Sequence, residues 1–290
     1  MGANTPPYAD IAREARLKVL DLIYRAQTSH IGSNFSCIDI LTVLFEKIDL
    51  DKDEFVLSKG WVAASLYYFL WRKGRITEEQ LDSYCQPDSD FIGLAEPMFR
   101  MVQCDCNVKE GTQMDGGTKK RQEPQQDCKK CHGKGKYRDD FIRIAGGSMG
   151  LGLPGAIGMA LAKKIKGEPG KVYVLMSDGE MQIGTFWESM LIARQHKLDN
   201  LVILVDYNGL QAMGKTEDIL RLDIEGGDLI DGHDYEAIAE AIESHNAEDV
   251  AVFKTVKGKG VSFMEGNNLY HYKGLSDEEY KNATAEVYES

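Results

Sequence analysis

Across its 290 residues the sequence has no stretch approaching the roughly 20 consecutive apolar residues a membrane-spanning helix needs. Its first residues, MGANTPPYADIAREARLKVL, lack the apolar core and small-residue cleavage site of a secretory signal, so the expectation is a cytoplasmic chain with no membrane partner. Basic residues are also in short supply. Lys and Arg total 34 against 46 Asp and Glu, a net charge of -12, which argues against general affinity for nucleic acid or anionic membrane. An anionic ligand would have to be held locally, by backbone amides, helix N-termini and a bound cation. Cysteine is too sparse for a disulfide framework: of six, Cys37 and Cys85 stand alone and read as small buried hydrophobes. What is present is 43% hydrophobic residues, enough to fill the core of one large domain or two small ones.

From Ala9 to about Thr28, apolar residues at Ile11, Ala15, Val19, Leu22 and Ile23 recur at helical spacing; SHIGSNFS then reads as a loop and Cys37 to Lys47 as a second helix. EFVLSKG predicts a short buried strand closed by a turn, and WVAASLYYFLWRKG a helix ended by Gly74, with another helix start at Thr77 to Glu79. Between Pro97 and Asp140 the periodicity disappears in favour of Gly, Lys, Gln and Cys. Residues 97–140 therefore read as an insertion within one domain spanning 1–290, and a loop of that length needs a staple. From Arg143 an α/β alternation follows: a glycine-rich turn, a helix from Gly152 to Lys166, strand KVYVLM, a helix around Thr185 to His196, strand LVILVD, helix DYEAIAEAIESH and strand DVAVFKTV. The expected fold class is α/β, a doubly wound, mostly parallel sheet with helices on both faces.

Ligands of such sheets bind at the carboxyl ends of the strands, where VYVLMSDGEMQIG and LVILVDYNGLQ place Asn208 thirty positions after Asp178. A carboxylate, an amide oxygen and a nearby main-chain carbonyl are hard ligands suited to Mg²⁺, or to a looser Ca²⁺, that completes its shell with diphosphate oxygens. Asp-Gly by itself is also an ordinary turn. Upstream, Gly146, Gly147, Gly150 and Gly152 would let the backbone approach a ligand and take positive φ before a helix; tight helix-to-strand packing accounts for them equally well.

The Asp-Gly pair followed by Asn resembles the thiamine diphosphate signature, and the surroundings resemble transketolases. GGSMGLGLPGAIGMALAKK, VKGKGVSFME, SHIGSNFSCIDIL and FVLSKG are similar to segments of that family and occur in the same order over nearly the whole chain. The resemblance implies a thiamine-diphosphate-binding domain of the PP type. It places the metal on Asp178, Asn208 and the carbonyl of Leu210, and the cofactor on Gly147, Ser148, Met149, Gly150, Asp178, Gly179, Glu180 and Asn208. For Glu180 a network role at the helix start is favoured over direct catalysis. His30 in SHIG and His271 in LYHYKG match two histidines set over the thiazolium, where imidazole hydrogen-bonds or exchanges protons with sugar oxygens; a surface or capping role is the alternative for each. His233 in DGHD reads as a structural or capping residue. The chain departs from the family at Ser177, where Gly is usual, and at Trp61, where SKG is commonly followed by His. GLAEPMFRM has no match to the family's Gly-His-Pro, and the stretch from Gly214 to Asp231 is short. The cofactor site is thereby better supported than any sugar preference.

Within the expected insertion, CDC and CKKC place Cys104, Cys106, Cys128 and Cys131 at a spacing compatible with one tetrahedral Cys₄ zinc site, a structural staple; a reactive dithiol or unligated thiols are the alternatives. CKKCHGKG also resembles half of the zinc repeat in DnaJ-type cysteine-rich modules.

Thiamine enzymes need a second, pyrimidine-binding domain whose glutamate activates the cofactor. Since the sequence ends shortly after VSFME, the resemblance implies a split transketolase. Its partner would be a C-terminal transketolase subunit in an α2β2 heterotetramer acting on sugar phosphates, with a two-carbon ketol unit passing from a ketose to an aldose. Another thiamine-dependent ketol transferase or decarboxylase subunit is one alternative, and a non-catalytic zinc-stapled interaction protein is another.

Overall fold

The computed structural model describes residues 8–104, 134, 136–222, 229–245 and 249–289. These belong to two compact units, one formed by Met1–Glu96 with Ile144–Ser290 and one by Pro97–Arg143.

In the larger unit, α1 (Tyr8–Ala26) buries Ile11, Ala15, Val19, Leu22 and Ile23, the positions whose spacing predicts it. The next element corrects the loop reading of SHIGSNFS: α2 runs over Ile31–Lys47, and every residue from Ile31 to Phe45 is buried. Serine and asparagine usually compete with the helix backbone. Here they reach back to the His30 and Ser33 carbonyls and also bond distant partners: Asn34 Oδ1 accepts from the Ser65 amide at 3.0 Å and from its hydroxyl at 2.9 Å, and Ser36 Oγ approaches Asp206. The chain continues through β1 (Glu54–Leu57), a 3₁₀ turn at Gly60–Val62, α3 (Ala63–Arg72) and α4 (Glu78–Asp82), the last started by a reciprocal capping box between Thr77 and Gln80.

In the smaller unit, β2 (Met98–Gln103) pairs antiparallel with β3 (Lys136–Ile142). Cys104, just after β2, is buried. Cys106, Cys128 and Cys131, and with them the expected zinc site, lie outside the described residues.

The larger unit resumes with α5 (Gly152–Lys166), β4 (Val172–Ser177), α6 (Gly184–Gln195) and β5 (Leu201–Tyr207), followed by an antiparallel ribbon of β6 (Leu210–Gln211) and β7 (Gly214–Lys215). After α7 (Thr216–Ile219) come β8 (Ile230–Asp231), α8 (Tyr235–Ser244), β9 (Ala251–Lys254) and α9 (Asp277–Glu289). The main sheet has the order β1-β4-β5-β9-β8, with every neighbouring pair parallel. Strands β4 and β5 are buried on both faces, which is why they read as unbroken apolar runs. Val172, Val174, Met176, Leu201, Ile203 and Val205 pack with Leu153 and Ala156 of α5 and with Phe186 and Met190 of α6. Asp206 alternates to the opposite face, where it meets Ser36 of α2. Helix α9, which the sequence reading did not anticipate, buries Ala283 and Val287 and stacks Tyr280 on Tyr24 of α1, with ring centroids 4.0 Å apart.

A buried ion pair ties the first helices together. Arg16 of α1 grips Asp39 of α2 with two bonds of 3.0 and 2.7 Å. Burial works against the Asp39 charge, but Arg16 and His233 hold the carboxyl down at about 2. His233 Nε2 accepts the Val256 amide at 2.9 Å, so its ring proton lies on Nδ1, 2.7 Å from Asp39. His233 is thus a structural tie, while the N-cap of α8 is Asp234, whose carboxylate accepts from the Glu236 and Ala237 amides.

Candidate functional site

Ser177 and Asp206 are register partners at the carboxyl ends of β4 and β5, so the residues leaving these strands, Asp178 and Asn208, emerge side by side. They line a cavity of about 390 Å³ together with Ser33, Lys59, Gly179 and Leu210, the two histidines His30 and His271, and an apolar set that includes Trp61, Leu94, Met149, Met213 and Tyr272.

Asp178 opens a 3₁₀ turn, Asp178–Gln182, and is 1% exposed. Its Oδ1 accepts the Gly179 amide at 2.8 Å; its Oδ2 accepts the Gly209 amide at 2.7 Å and the Thr216 hydroxyl at 3.1 Å. Burial, and then repulsion from Asp206, push this carboxyl up to about 6 despite those bonds. No basic side chain forms an ion pair with Asp178 among the described residues; Lys59 and Lys257 act on it only at a distance. At Asn208 the Leu210 amide donates to Oδ1 at 3.1 Å, and Nδ2 faces Asp206 Oδ2 at 3.4 Å. An amide N–H only donates and a carboxylate only accepts, so both neighbours fix the same side-chain orientation. Among the described residues no group of three or more His, Cys, Asp or Glu side chains is placed to hold a metal. One carboxylate without an ion-pair partner, with an amide oxygen and a main-chain carbonyl, is a different kind of donor set, and its chemistry fits Mg²⁺ or Ca²⁺.

The glycine-rich segment divides between its two readings. A Cβ on Gly146 would lie 2.2 Å from the Leu57 carbonyl oxygen and one on Gly152 2.3 Å from Ser58 Oγ, so these two glycines serve close packing. Gly150 has φ +80 and donates its amide to Glu180 Oε1 at 3.1 Å. Gly147 lines the cavity, with only Leu94 near its Cβ position, whereas Ser148 is exposed and is not part of the lining. Glu180 lies outside the lining as well, fully buried, accepting from Ser58 Oγ, from Gly150, and from the Ser177 amide at 2.8 Å and hydroxyl at 3.0 Å. Burial raises its pKa even so. The Ser177 hydroxyl, the departure from glycine, is engaged by Glu180.

His30 and His271 come from opposite ends of the chain. His30 precedes α2 in the left-handed region at φ 73, a conformation uncommon for a residue with a side chain and of the kind that collects at functional sites. Its amide donates to the His271 carbonyl at 3.0 Å, and the two rings meet edge to face at 5.1 Å. His271 ends a 3₁₀ turn at Asn268–His271. Burial and the positive charge of Lys257 push His30 down to about 4 and His271 to about 3, so both rings are neutral at ordinary pH.

Several residues near the site were not singled out in the sequence. Lys59 and Asp206 form a fully buried ion pair; Asp206 also accepts from Ser36 and Thr255, and stays ionised because Lys59 offsets its burial. Lys257 lies beside His271, with Nζ 2.8 Å from Nδ1. The available signal was an ionisable residue closing or following an apolar strand: SKG after β1, VDYN in β5, TVKG after β9.

Residues 121–287 match the family described as transketolase, thiamine diphosphate binding domain. The chain belongs to this family. It is 29% identical to an apulose-4-phosphate transketolase subunit of Phocaeicola vulgatus, over 94% of this chain and 91% of that protein. With the protein of the same name from Actinobacillus succinogenes the identity is 30%, over 89% and 87%. With the 6-deoxy-6-sulfo-D-fructose transketolase subunit SqwG of a Clostridium species it is 28%, over 95% and 94%. In fold the chain is similar to the transketolase of Campylobacter jejuni, with a TM-score of 0.73 at 24% identity, covering 99% of this chain and 43% of that one. For the transketolase of Leishmania mexicana the TM-score is 0.74 at 20% identity, covering 98% and 41%. This member of the family therefore spans less than half of those solved transketolases while matching the named subunits nearly end to end.

Proposed function

We propose that this chain is the diphosphate-binding subunit of a split transketolase, acting with a separate subunit to pass a two-carbon ketol unit from a ketose to an aldose. The observation that carries this reading is the single cavity shared by Asp178, Asn208 and Leu210 with His30 and His271, in a chain whose relatives are named as transketolase subunits. Asp178, Asn208 Oδ1 and the Leu210 carbonyl would hold Mg²⁺ or Ca²⁺, neutralising a diphosphate in a chain poor in basic residues. Gly147, Met149 and Gly179 would border the bound cofactor, with Ser148 beside them; Gly150 and Glu180 would brace the turn from behind. When bound, thiamine diphosphate supplies the nucleophilic carbon and the electron sink for carbon–carbon cleavage. His30 and His271 would hydrogen-bond or exchange protons with the hydroxyl and carbonyl oxygens of a sugar phosphate, and Trp61 and Met213 would exclude water from it.

The partner in this reading is a C-terminal transketolase subunit that brings the pyrimidine-binding domain and its activating glutamate, in an α2β2 assembly in the cytoplasm. Exposed apolar residues favour a covering chain: Met149 and Met213 at the cavity, Leu151 beside Gly150, and, along α6, Trp187 and Leu191 one turn apart. Cys104, Cys106, Cys128 and Cys131 are assigned to structural zinc, and elemental analysis of anaerobically purified protein should return about one zinc per chain.

The deciding experiment is co-expression with the partner, followed by a donor screen with thiamine diphosphate and Mg²⁺ that includes apulose 4-phosphate and 6-deoxy-6-sulfo-D-fructose. Ketol transfer should require both chains. Robust turnover by this chain alone would overturn the reading.

A further inference from the structure

We propose that Lys257 is a positioning residue that holds His271 in the tautomer with its proton on Nε2, so that this histidine serves as a hydrogen-bond donor and not as a base. The inference rests on the reading above, in which His271 faces the sugar.

Lys257 is 1% exposed, three residues beyond β9. Its backbone is fixed on both sides: the Gly258 amide donates to the Gly32 carbonyl at 2.9 Å, and the Gly266 amide donates to the Lys257 carbonyl at 2.9 Å. The ammonium has two neutral partners, His271 Nδ1 at 2.8 Å and Asn268 Oδ1 at 3.2 Å. Asn268 is itself oriented, since its Nδ2 donates to the Ala212 carbonyl at 3.2 Å and its oxygen is left for Lys257. No carboxylate lies in ion-pair contact with Lys257 among the described residues. A buried cation without a counter-charge is costly, and burial together with Lys59 lowers its pKa to about 8, offset in part by Asp178 and Asp206. At neutral pH it still carries its proton, and an ammonium can only donate.

The constraint on His271 follows. A neutral imidazole has one nitrogen that donates and one that accepts. Nδ1 faces a donor-only group, so it accepts, and the ring proton resides on Nε2. Nε2 meets no hydrogen-bond partner among the described residues, and His271 lines the cavity. His30 is built differently. Its Nδ1 lies 2.8 Å from the Ser29 hydroxyl, which can donate or accept, so either tautomer is allowed. The pair therefore divides its work: His271 offers a fixed N–H to a substrate oxygen, and His30 keeps the freedom to take up and release a proton.

Nitrogen-15 spectra of histidine-labelled chain test this without turnover. The wild-type His271 signals should show a protonated Nε2 and an unprotonated Nδ1, Lys257→Arg should keep that pattern, and Lys257→Met should lose it. A protonated Nδ1 in the wild type overturns the inference even if no variant folds. In the complex with its partner, Lys257→Met should lower kcat by on the order of a hundredfold with a smaller change in KM, comparable to loss of one preorganised donor, and Lys257→Arg should recover most of it. His271→Ala separates the two levels. If that variant retains full turnover, the reading of the site fails. If it is impaired while Lys257→Met changes neither tautomer nor kcat, the positioning role alone fails.

Discussion

A negative charge in the cavity lining is buried without an ion-pair partner, and so is a positive charge just behind the lining. Burial raises Asp178 to about 6 and lowers Lys257 to about 8, and neither touches an opposite charge among the described residues. Two other buried carboxylates are paired directly with cations, Asp39 with Arg16 and Asp206 with Lys59, the latter itself reaching the cavity lining. The paired groups lock helices and strands to one another. The unpaired ones flank the space a ligand would fill, Asp178 in its lining and Lys257 against the lining residue His271, and the cost of leaving them unpaired is what makes them informative. An anionic cofactor carried by a divalent cation would offset the first directly.

Removing one group from each class tests that contrast. Asp178→Ala takes away the one charged ligand assigned to the cation, and Mg²⁺-dependent thiamine diphosphate affinity should fall on the order of a thousandfold by calorimetry, about 4 kcal/mol. Unchanged affinity would move the cation elsewhere. Asp39→Ala lies in the paired region and leaves Arg16 buried against neutral groups. It should cost about 3 kcal/mol in urea unfolding and leave cofactor affinity near wild type in the folded fraction. If Asp39→Ala instead abolished cofactor binding with little loss of stability, the division between structural and site charges would collapse.

The Asp178 end was legible in the sequence because its geometry is local to two strands. Parallel neighbours in register deliver whatever follows them to the same place, so residues thirty positions apart line one cavity. The histidine end depends on tertiary detail that no spacing encodes. The same Lys257 would read as a solvated lysine if the turn at Asn268–His271 packed differently. Polar SHIGSNFS pointed away from a helix because the partners of Ser36 and Asn34 are 170 and 31 residues distant. The glycines gave two readings since both hold, Gly146 and Gly152 for packing and Gly150 for its backbone conformation. His233 in DGHD reads as a structural or capping residue; the cap is Asp234, and the ties of His233 to Asp39 and Val256 are not encoded in the local sequence.

The protonation of Asp178 gives a third test. Its folded pKa lies above the ordinary carboxyl value of 3.8, so between these values the folded cation-free chain binds more protons than the unfolded one. This contribution to stability is present at low pH and lost as pH rises through about 6, where the ionised carboxylate stands unpaired. A cation competes with that proton. Affinity for Mg²⁺ with thiamine diphosphate should fall about tenfold per pH unit below about 6, and the ligand-induced rise in Tm should be larger at pH 7 than at pH 5. Equal rises at both would show that Asp178 is already ionised when the ligand arrives.

The smallest effect concerns the helix that leads out of the glycine-rich segment. Gly152, in the first turn of α5, has no room for a methyl group: its Cβ would lie 2.6 Å from Ser58 Cα, and relief would displace Ser58, whose hydroxyl holds Glu180. Gly158, two turns further along the same helix, is exposed, and nothing lies within 4 Å of its Cβ position. Alanine there should stabilise the chain by about 0.5–1 kcal/mol through helix propensity alone, a rise of a few degrees at most in Tm, with cofactor affinity unchanged. Alanine at Gly152 should destabilise and should also weaken cofactor binding, because the turn that presents Asp178 is braced through Glu180. If Gly152→Ala lowered stability and left cofactor affinity intact, the Ser58–Glu180 brace would belong to the paired, structural part of the molecule and not to its ligand site.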